Sequence, residues 1–260
     1  MYKTKQGMMK KLQLFAAGAL FALCGAMASA APLTVAVAAN VKYAFDDLAA
    51  EFKKDAGIEV QGVFSSSGKI VTQVKSGAPY DVFISADTEF PDALYKDGFA
   101  VTQPKVYAYG VLVLWTTKDL DLSKGLPLLS DDRVQKIAIA NPKVAPYGRA
   151  AIQALESAKL NAAVEPKLVY GESIAQATQF VDSGAADIGF IAKSVVISPE
   201  MAGKGKWVEV SKASYAPIAQ AVVVLKHGAE TQPEAARKFV DFLFTPKARA
   251  IFEKYGYVLP

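Results

Sequence analysis

Four short stretches carry the residues best suited to chemistry, and all are rich in small neutral groups. They are "AAN" at Ala38–Asn40, "SSSG" at Ser65–Gly68, "APYG" at Ala145–Gly148 and "GES" at Gly171–Ser173. Each stands between an apolar, strand-like run and a segment with helical spacing. The start of a helix exposes N–H groups with no partner inside the helix, together with the positive end of the helix dipole. Serine hydroxyls add further donors, so such a turn suits an anion. The plainer alternative is that these residues only cap their helices. Taken singly, each turn favours the cap; four around one cleft favour the anion. The "SSSGK" stretch is not a nucleotide P-loop. Five residues rather than four separate Gly62 from Gly68, and Ile70, without a hydroxyl, follows Lys69.

Other chemistries find little support. His227 is the only histidine, there is no G-x-S-x-G elbow, and no catalytic base stands near a serine in the sequence. One histidine, with no cysteine after Cys24, argues against a catalytic metal. Asp46 and Asp47 fit a solvated helix face. Binding of ferric iron would want tyrosine pairs and carboxylates; the "YGY" at Tyr255–Tyr257 ends a helix, where packing explains it.

The elements that must position the four turns follow from hydrophobic spacing. "LTVAVAAN" (Leu33–Asn40) has the unbroken apolar character of a strand covered on both faces, with Asn40 at the expected N-cap. Ala44, Phe45, Leu48 and Phe52 then fall on one helical face, and Gly57 stops the helix. Strand and helix continue to alternate, which predicts parallel α/β sheets. Two longer apolar runs, Ala108–Lys118 and Ala216–Lys226, break that rhythm and bracket a middle α/β segment. The expectation is therefore two Rossmann-like lobes joined by a two-strand hinge, with ligand in the cleft beyond the carboxyl ends of the strands. The boundaries expected are 31–109 plus 227–260 for the first lobe and 110–226, hinge strands included, for the second.

Residues 1–30 are expected to be a cleaved secretory signal peptide. Lys3, Lys5, Lys10 and Lys11 precede the apolar "LQLFAAGALFAL", and "AMASA" supplies small residues before a cut at Ala31. The formal net charge of +4 is matched by these four lysines, so the remaining roughly 230 residues are near neutral. That removes the electrostatic case for nucleic acid. It also means that any bound anion is not drawn by bulk positive charge.

From about Leu33 onward the chain resembles the periplasmic molybdate-binding proteins of ABC transporters, a branch of the type II periplasmic binding proteins. The residues that carry the resemblance are "VAVAANV" at the first turn, "FSSSGKIVTQVKSGAPYDVFISAD" at Phe64–Asp87, "NPKVAPYGRAAIQAL" at Asn141–Leu155 and the closing "TPKARAIFEKYGY". The resemblance implies a periplasmic, monomeric, non-enzymatic protein without a cofactor. Its ligand would be molybdate or tungstate, and its partners the membrane permease subunits of the transporter. It also implies ligand positions at Asn40, Ser67, Tyr147 and the Ile174 amide, with help from the Ala39 N–H; molybdenum would be held only as molybdate. Some members carry a further tyrosine where this chain has Ala192, a contact that Asn40 and Tyr147 are expected to replace.

Molybdate and sulfate carry no proton at neutral pH, so their site needs donors only. Phosphate keeps a proton and demands an acceptor. Sulfate, phosphate or another organic or metal-ion solute remain the alternatives, and a hydrolase is the more distant one. Glu172 and Arg149 are left open: either, turned into the cleft, would change the anion selected.

Overall fold

The computed structural model describes residues 31–260, so the expected signal peptide lies outside the described residues. The first strand, β1 (Leu33–Ala38), leads into α1 (Lys42–Ala56), β2 (Val60–Ser65), α2 (Ser67–Lys75), β3 (Val82–Ile84), α3 (Glu89–Lys96) and β4 (Lys105–Gly110). A second series follows: β5 (Leu112–Thr116), β6 (Ile137–Ala140), α4 (Pro146–Ser157), α5 (Asn161–Val164), β7 (Leu168–Gly171), α6 (Ile174–Asp182), β8 (Ile188–Ala192), α7 (Lys193–Val196) and β9 (Lys206–Glu209). The chain closes with β10 (Ile218–Val224), α8 (Lys226–Thr231), α9 (Pro233–Phe242) and α10 (Pro246–Lys254).

Among the described residues the strands form two five-stranded sheets, ordered β2-β1-β3-β10-β4 and β7-β6-β8-β5-β9. In the first, β1 runs parallel to β2 and β3, and β10 runs antiparallel to β3 and β4. In the second, β6 runs parallel to β7 and β8, and β5 runs antiparallel to β8 and β9. Two α/β lobes result, as expected.

The expected lobe boundaries need correction. Ala108–Lys118 is two strands rather than one: β4 lies in the first sheet, β5 in the second, and Val111 alone separates them. The returning run belongs to the first sheet. β10 fills the gap between β3 and β4, so residues 218–224 and Gly110 sit with the first lobe. The physical reason is that a strand buried on both faces needs two hydrogen-bonded neighbours, and β3 and β4 supply them. The chain thus crosses between sheets at Val111 and again after Glu209.

Local chemistry explains most element ends. On α1 the buried residues are Ala44, Phe45, Leu48 and Phe52, the face expected from spacing. Gly57 ends the helix with φ 69°, a left-handed geometry that glycine adopts without a Cβ clash. Pro146, Pro233 and Pro246 start their helices, where no N–H is needed. Asn40 departs from expectation: Val41 is the N-cap of α1, and Asn40 lies in a 3-10 turn, Ala39–Val41, with its side chain engaged elsewhere.

One face of the first sheet packs on α1, α9 and α10. Phe52 sits there between Phe239 and Phe242, with ring centroids 5.1 and 5.3 Å away. The other face packs on α2 and α3 through Ile70, Phe83 and Leu94. The second lobe has its own core around Trp115, Ile139 and Phe190. Replacing Phe52 by Ala is expected to lower the unfolding free energy by about 3–5 kcal/mol, because the two facing rings cannot close over the void; denaturant unfolding measures it.

Candidate functional site

The carboxyl ends of the parallel strands in both lobes point at one small cavity. After β1 come Ala39 and Asn40; after β2, Ser66 and Ser67; after β3, Ala86; before and within the start of α4, Ala145 and Tyr147; and at the start of α6, Ile174. All line the same space. The structure therefore brings together Asn40, Ser67, Tyr147, Ile174 and Ala39. Ser67, Tyr147 and Ile174 stand first or second in their helices, where an amide has no intrahelical acceptor. Among the described lining residues none is charged, so the cavity presents neutral dipoles only.

The side chains are held by a buried hydrogen-bond network. Gln220, on β10 and fully buried, is its centre. Its Oε1 accepts from Tyr107 Oη at 2.8 Å and from Asn40 Nδ2 at 3.0 Å, and its Nε2 donates to Tyr147 Oη at 3.2 Å. Asn40 Nδ2 also donates to Tyr257 Oη at 3.1 Å. Both protons of the Asn40 amide are thereby committed to protein, which leaves its backbone N–H as its free donor. The Asn40 carbonyl accepts from Tyr257 Oη and from Ser194 Oγ, each at 2.9 Å. Tyr147 Oη accepts from Gln220, and among the described residues nothing accepts its own proton. Burial, reinforced by nearby Tyr257 and Tyr215, holds this hydroxyl well above the ordinary tyrosine range, so it stays a donor.

The serines divide their roles. Ser67 Oγ accepts from the Ala86 N–H at 3.1 Å, which turns its proton away from Ala86. Ser66 holds the N-cap position of α2 but makes no capping bond. Ser173 is a true cap: its Oγ accepts from the Gln176 N–H at 3.3 Å.

Glu172 and Arg149 are both outside the cavity. The Glu172 carboxylate is exposed and pairs with Lys69 across the two lobes. Arg149, on α4, pairs with Asp87 and lies 3.5 Å from Glu89, both of the first lobe. These three line a neighbouring cavity of about 110 Å³ whose mixed charge suits a dianion poorly. Ala192, where a tyrosine was missed, is a buried N-cap. His227 lies beside Asp81, 2.8 Å away, at the amino end of β3 and thus the opposite edge of the sheet from the cavity.

The residues that sequence reasoning missed are Gln220, Tyr107, Tyr257, Ser194 and Gly110. Gln220 had a signal: it is the lone polar residue in the apolar run "IAQAVVV". Gly110 is needed for space. A Cβ there would lie 2.2 Å from Tyr147 Oη and 2.6 Å from Gln220 Nε2, so the second-lobe tyrosine rests directly on the first-lobe backbone. Gly68 is a similar contact, donating its N–H to the Val144 carbonyl at 2.9 Å across the lobes.

A family model described as "Bacterial extracellular solute-binding protein" matches residues 33–258. The chain belongs to that family of solute-binding proteins. It is 41% identical over 239 residues to the molybdate-binding protein ModA of Azotobacter vinelandii, covering 91% of this chain and 94% of the relative. It is 42% identical over 233 residues to ModA of Rhodobacter capsulatus, with 89% and 90% covered. Its fold matches the solved periplasmic molybdate-binding protein of Azotobacter vinelandii with a TM-score of 0.81 at 36% identity, over 88% of this chain and 99% of that one.

Two tests follow from the geometry. Gly110→Ala should wedge Tyr147 off the first lobe and weaken ligand binding by about tenfold or more, and should also lower the thermal midpoint of the ligand-free protein by displacing the buried Gln220 amide; calorimetry and a melting curve check both. Arg149→Met should destabilise the protein by about 2 kcal/mol at pH 7.5, less than the figure for breaking a fully buried pair because Arg149 is part-exposed. Burial is the largest influence on Asp87 and raises its pKa above 3.8, while Arg149, Ser85 and the Phe90 amide pull it down. The stabilisation from a raised carboxyl pKa is complete below the unfolded value and lost as pH rises through the folded one. Removing Arg149 takes away the largest influence that lowers the Asp87 pKa, so that pKa rises further in Arg149→Met, and its deficit should shrink as pH falls, measured by urea unfolding at each pH.

Proposed function

We propose that this chain captures molybdate, and tungstate alongside it, between its two lobes and delivers it to the membrane subunits of an ABC transporter. The observation that carries the proposal is a cavity lined from both lobes by helix N-termini, hydroxyls and a tyrosine, with no charged side chain among its described lining. The names of the relatives, molybdate-binding proteins, supply the identity of the anion. Ser67, Tyr147, the Ile174 amide and the backbone amides of Ala39 and Asn40 act as donors. Each hydrogen bond to the charged ligand contributes about 1.5–3 kcal/mol, and several offset the loss of the anion's water shell. Phosphate is rejected because its proton finds no carboxylate in the cavity.

Capture occurs by closure. The anion bridges two half-sites, so it stabilises the arrangement in which the lobes meet. Contacts between lobes accompany that state: Gly68 N–H to Val144, Ser194 to Asn40, Gln220 to Tyr147, and the pairs Lys69–Glu172 and Arg149–Asp87. The protein acts as a monomer in the periplasm after loss of residues 1–30. Residues 33–110 with 218–260 form one lobe and 112–209 the other.

Ligand-free protein titrated with molybdate, tungstate, sulfate and phosphate tests the proposal. The first two should bind tightly at one site and phosphate not at all; phosphate binding as tight as molybdate would overturn it. Ser67→Ala and Tyr147→Phe should each weaken molybdate by about tenfold, on the order of 1.4 kcal/mol, without loss of fold.

A further inference from the structure

Within the "SSSG" turn, Ser66 has a side chain with no role in the network described above. It is 4% exposed, and it lines the cavity beside Ser67 and Asn40. Among the described residues its Oγ is buried without a hydrogen-bond partner. The backbone explains none of this. Ser66 has the extended φ −70°, ψ 150° of an N-cap, a position from which serine ordinarily accepts a bond from the second or third helical amide, yet its side chain makes no such bond. Its carbonyl does the expected work, accepting the Ile70 N–H at 3.1 Å. The hydroxyl therefore makes no bond to its own helix, in a residue that lines the cavity.

A buried hydroxyl left unpaired is costly, and an unpaired group in a folded protein calls for a partner. The other unpartnered atoms of this kind, Asn161 Oδ1 and Ser198 Oγ, do not line the cavity. We infer that Ser66 Oγ is an additional direct ligand of the bound oxyanion, donating its proton to one oxygen. This rests on the proposed oxyanion function and extends its donor set from the first lobe to two adjacent hydroxyls, Ser66 and Ser67. The adjacency matters chemically. Ser67 is partly held by the Ala86 amide, whereas the Ser66 hydroxyl has no partner among the described residues to give up on binding an oxygen. The ligand class is a fully ionised oxyanion, since the hydroxyl recognises an oxygen and not the central atom.

The sign of two effects in Ser66→Ala separates ligand contact from a structural role. Removing an unpaired hydroxyl costs the ligand-free protein nothing, so its thermal midpoint should stay the same or rise. The same change should weaken molybdate and tungstate by about tenfold in calorimetric titration. Unchanged affinity overturns the inference, because the hydroxyl then touches no ligand. A lowered midpoint without ligand also overturns it, because Ser66 then has a protein partner. Wild-type protein that fails to bind molybdate defeats the oxyanion function itself, whereas wild-type binding with an indifferent Ser66→Ala defeats only the role of Ser66.

Discussion

Everything in this molecule depends on leaving helix amides unpaired where two lobes meet. A polar group buried without a partner is expensive, so proteins normally pair such amides with a cap or expose them to water. Here the starts of α2, α4 and α6 and the turn before α1 share one small cavity, and among them only Ser173 caps in the ordinary way. A site of this kind is unsatisfied until something rich in acceptors fills it. Its lining dipoles carry no net charge, so selectivity comes from hydrogen-bond polarity rather than from attraction at a distance.

The same constraint explains the buried polar network behind the cavity. Gln220 joins Asn40 of the first turn to Tyr147 of the second lobe, and Tyr107 and Tyr257 complete its bonding. Because Gln220 donates to Tyr147, the tyrosine's own proton is left for the cavity. Gly110 supplies the room for that contact. The network therefore does two things: it fixes which groups donate, and it makes the donor set complete only when the lobes are together. The ion pairs Lys69–Glu172 and Arg149–Asp87 sit outside the cavity, bridging the lobes without bringing charge to the ligand.

Much of this was legible from spacing. The buried face of α1 follows from a 3.6-residue period, and the left-handed end at Gly57 from glycine's freedom. The four turns were visible as clusters of small polar residues between strand and helix, Glu172 being the one charge among them. What spacing does not show is which distant residues meet. Tyr257 and Gln220 lie 217 and 180 positions from Asn40; β10 inserting between β3 and β4 places Gln220, and the bridge of Val258 to Tyr109 on β4 places Tyr257. That insertion also defeated the lobe boundaries, since an apolar run does not say which sheet it will join. Asn40 misled for a related reason: its type suits a cap, but the Gln220 and Tyr257 partners made by tertiary packing claimed its amide. The break at Gly110 did have a mark, a glycine inside an apolar strand, which signals close approach of another group.

The central claim is that only neutral donors hold a fully ionised anion, and the number of protons exchanged on binding tests it most directly. Calorimetric titration with molybdate at pH 7.5, repeated in buffers of different ionisation enthalpy, gives that number. Donors that are all amides, serine hydroxyls and a protonated tyrosine predict zero net exchange. Uptake of close to one proton would mean that a carboxylate or the anion itself must be protonated for binding, and would contradict the account.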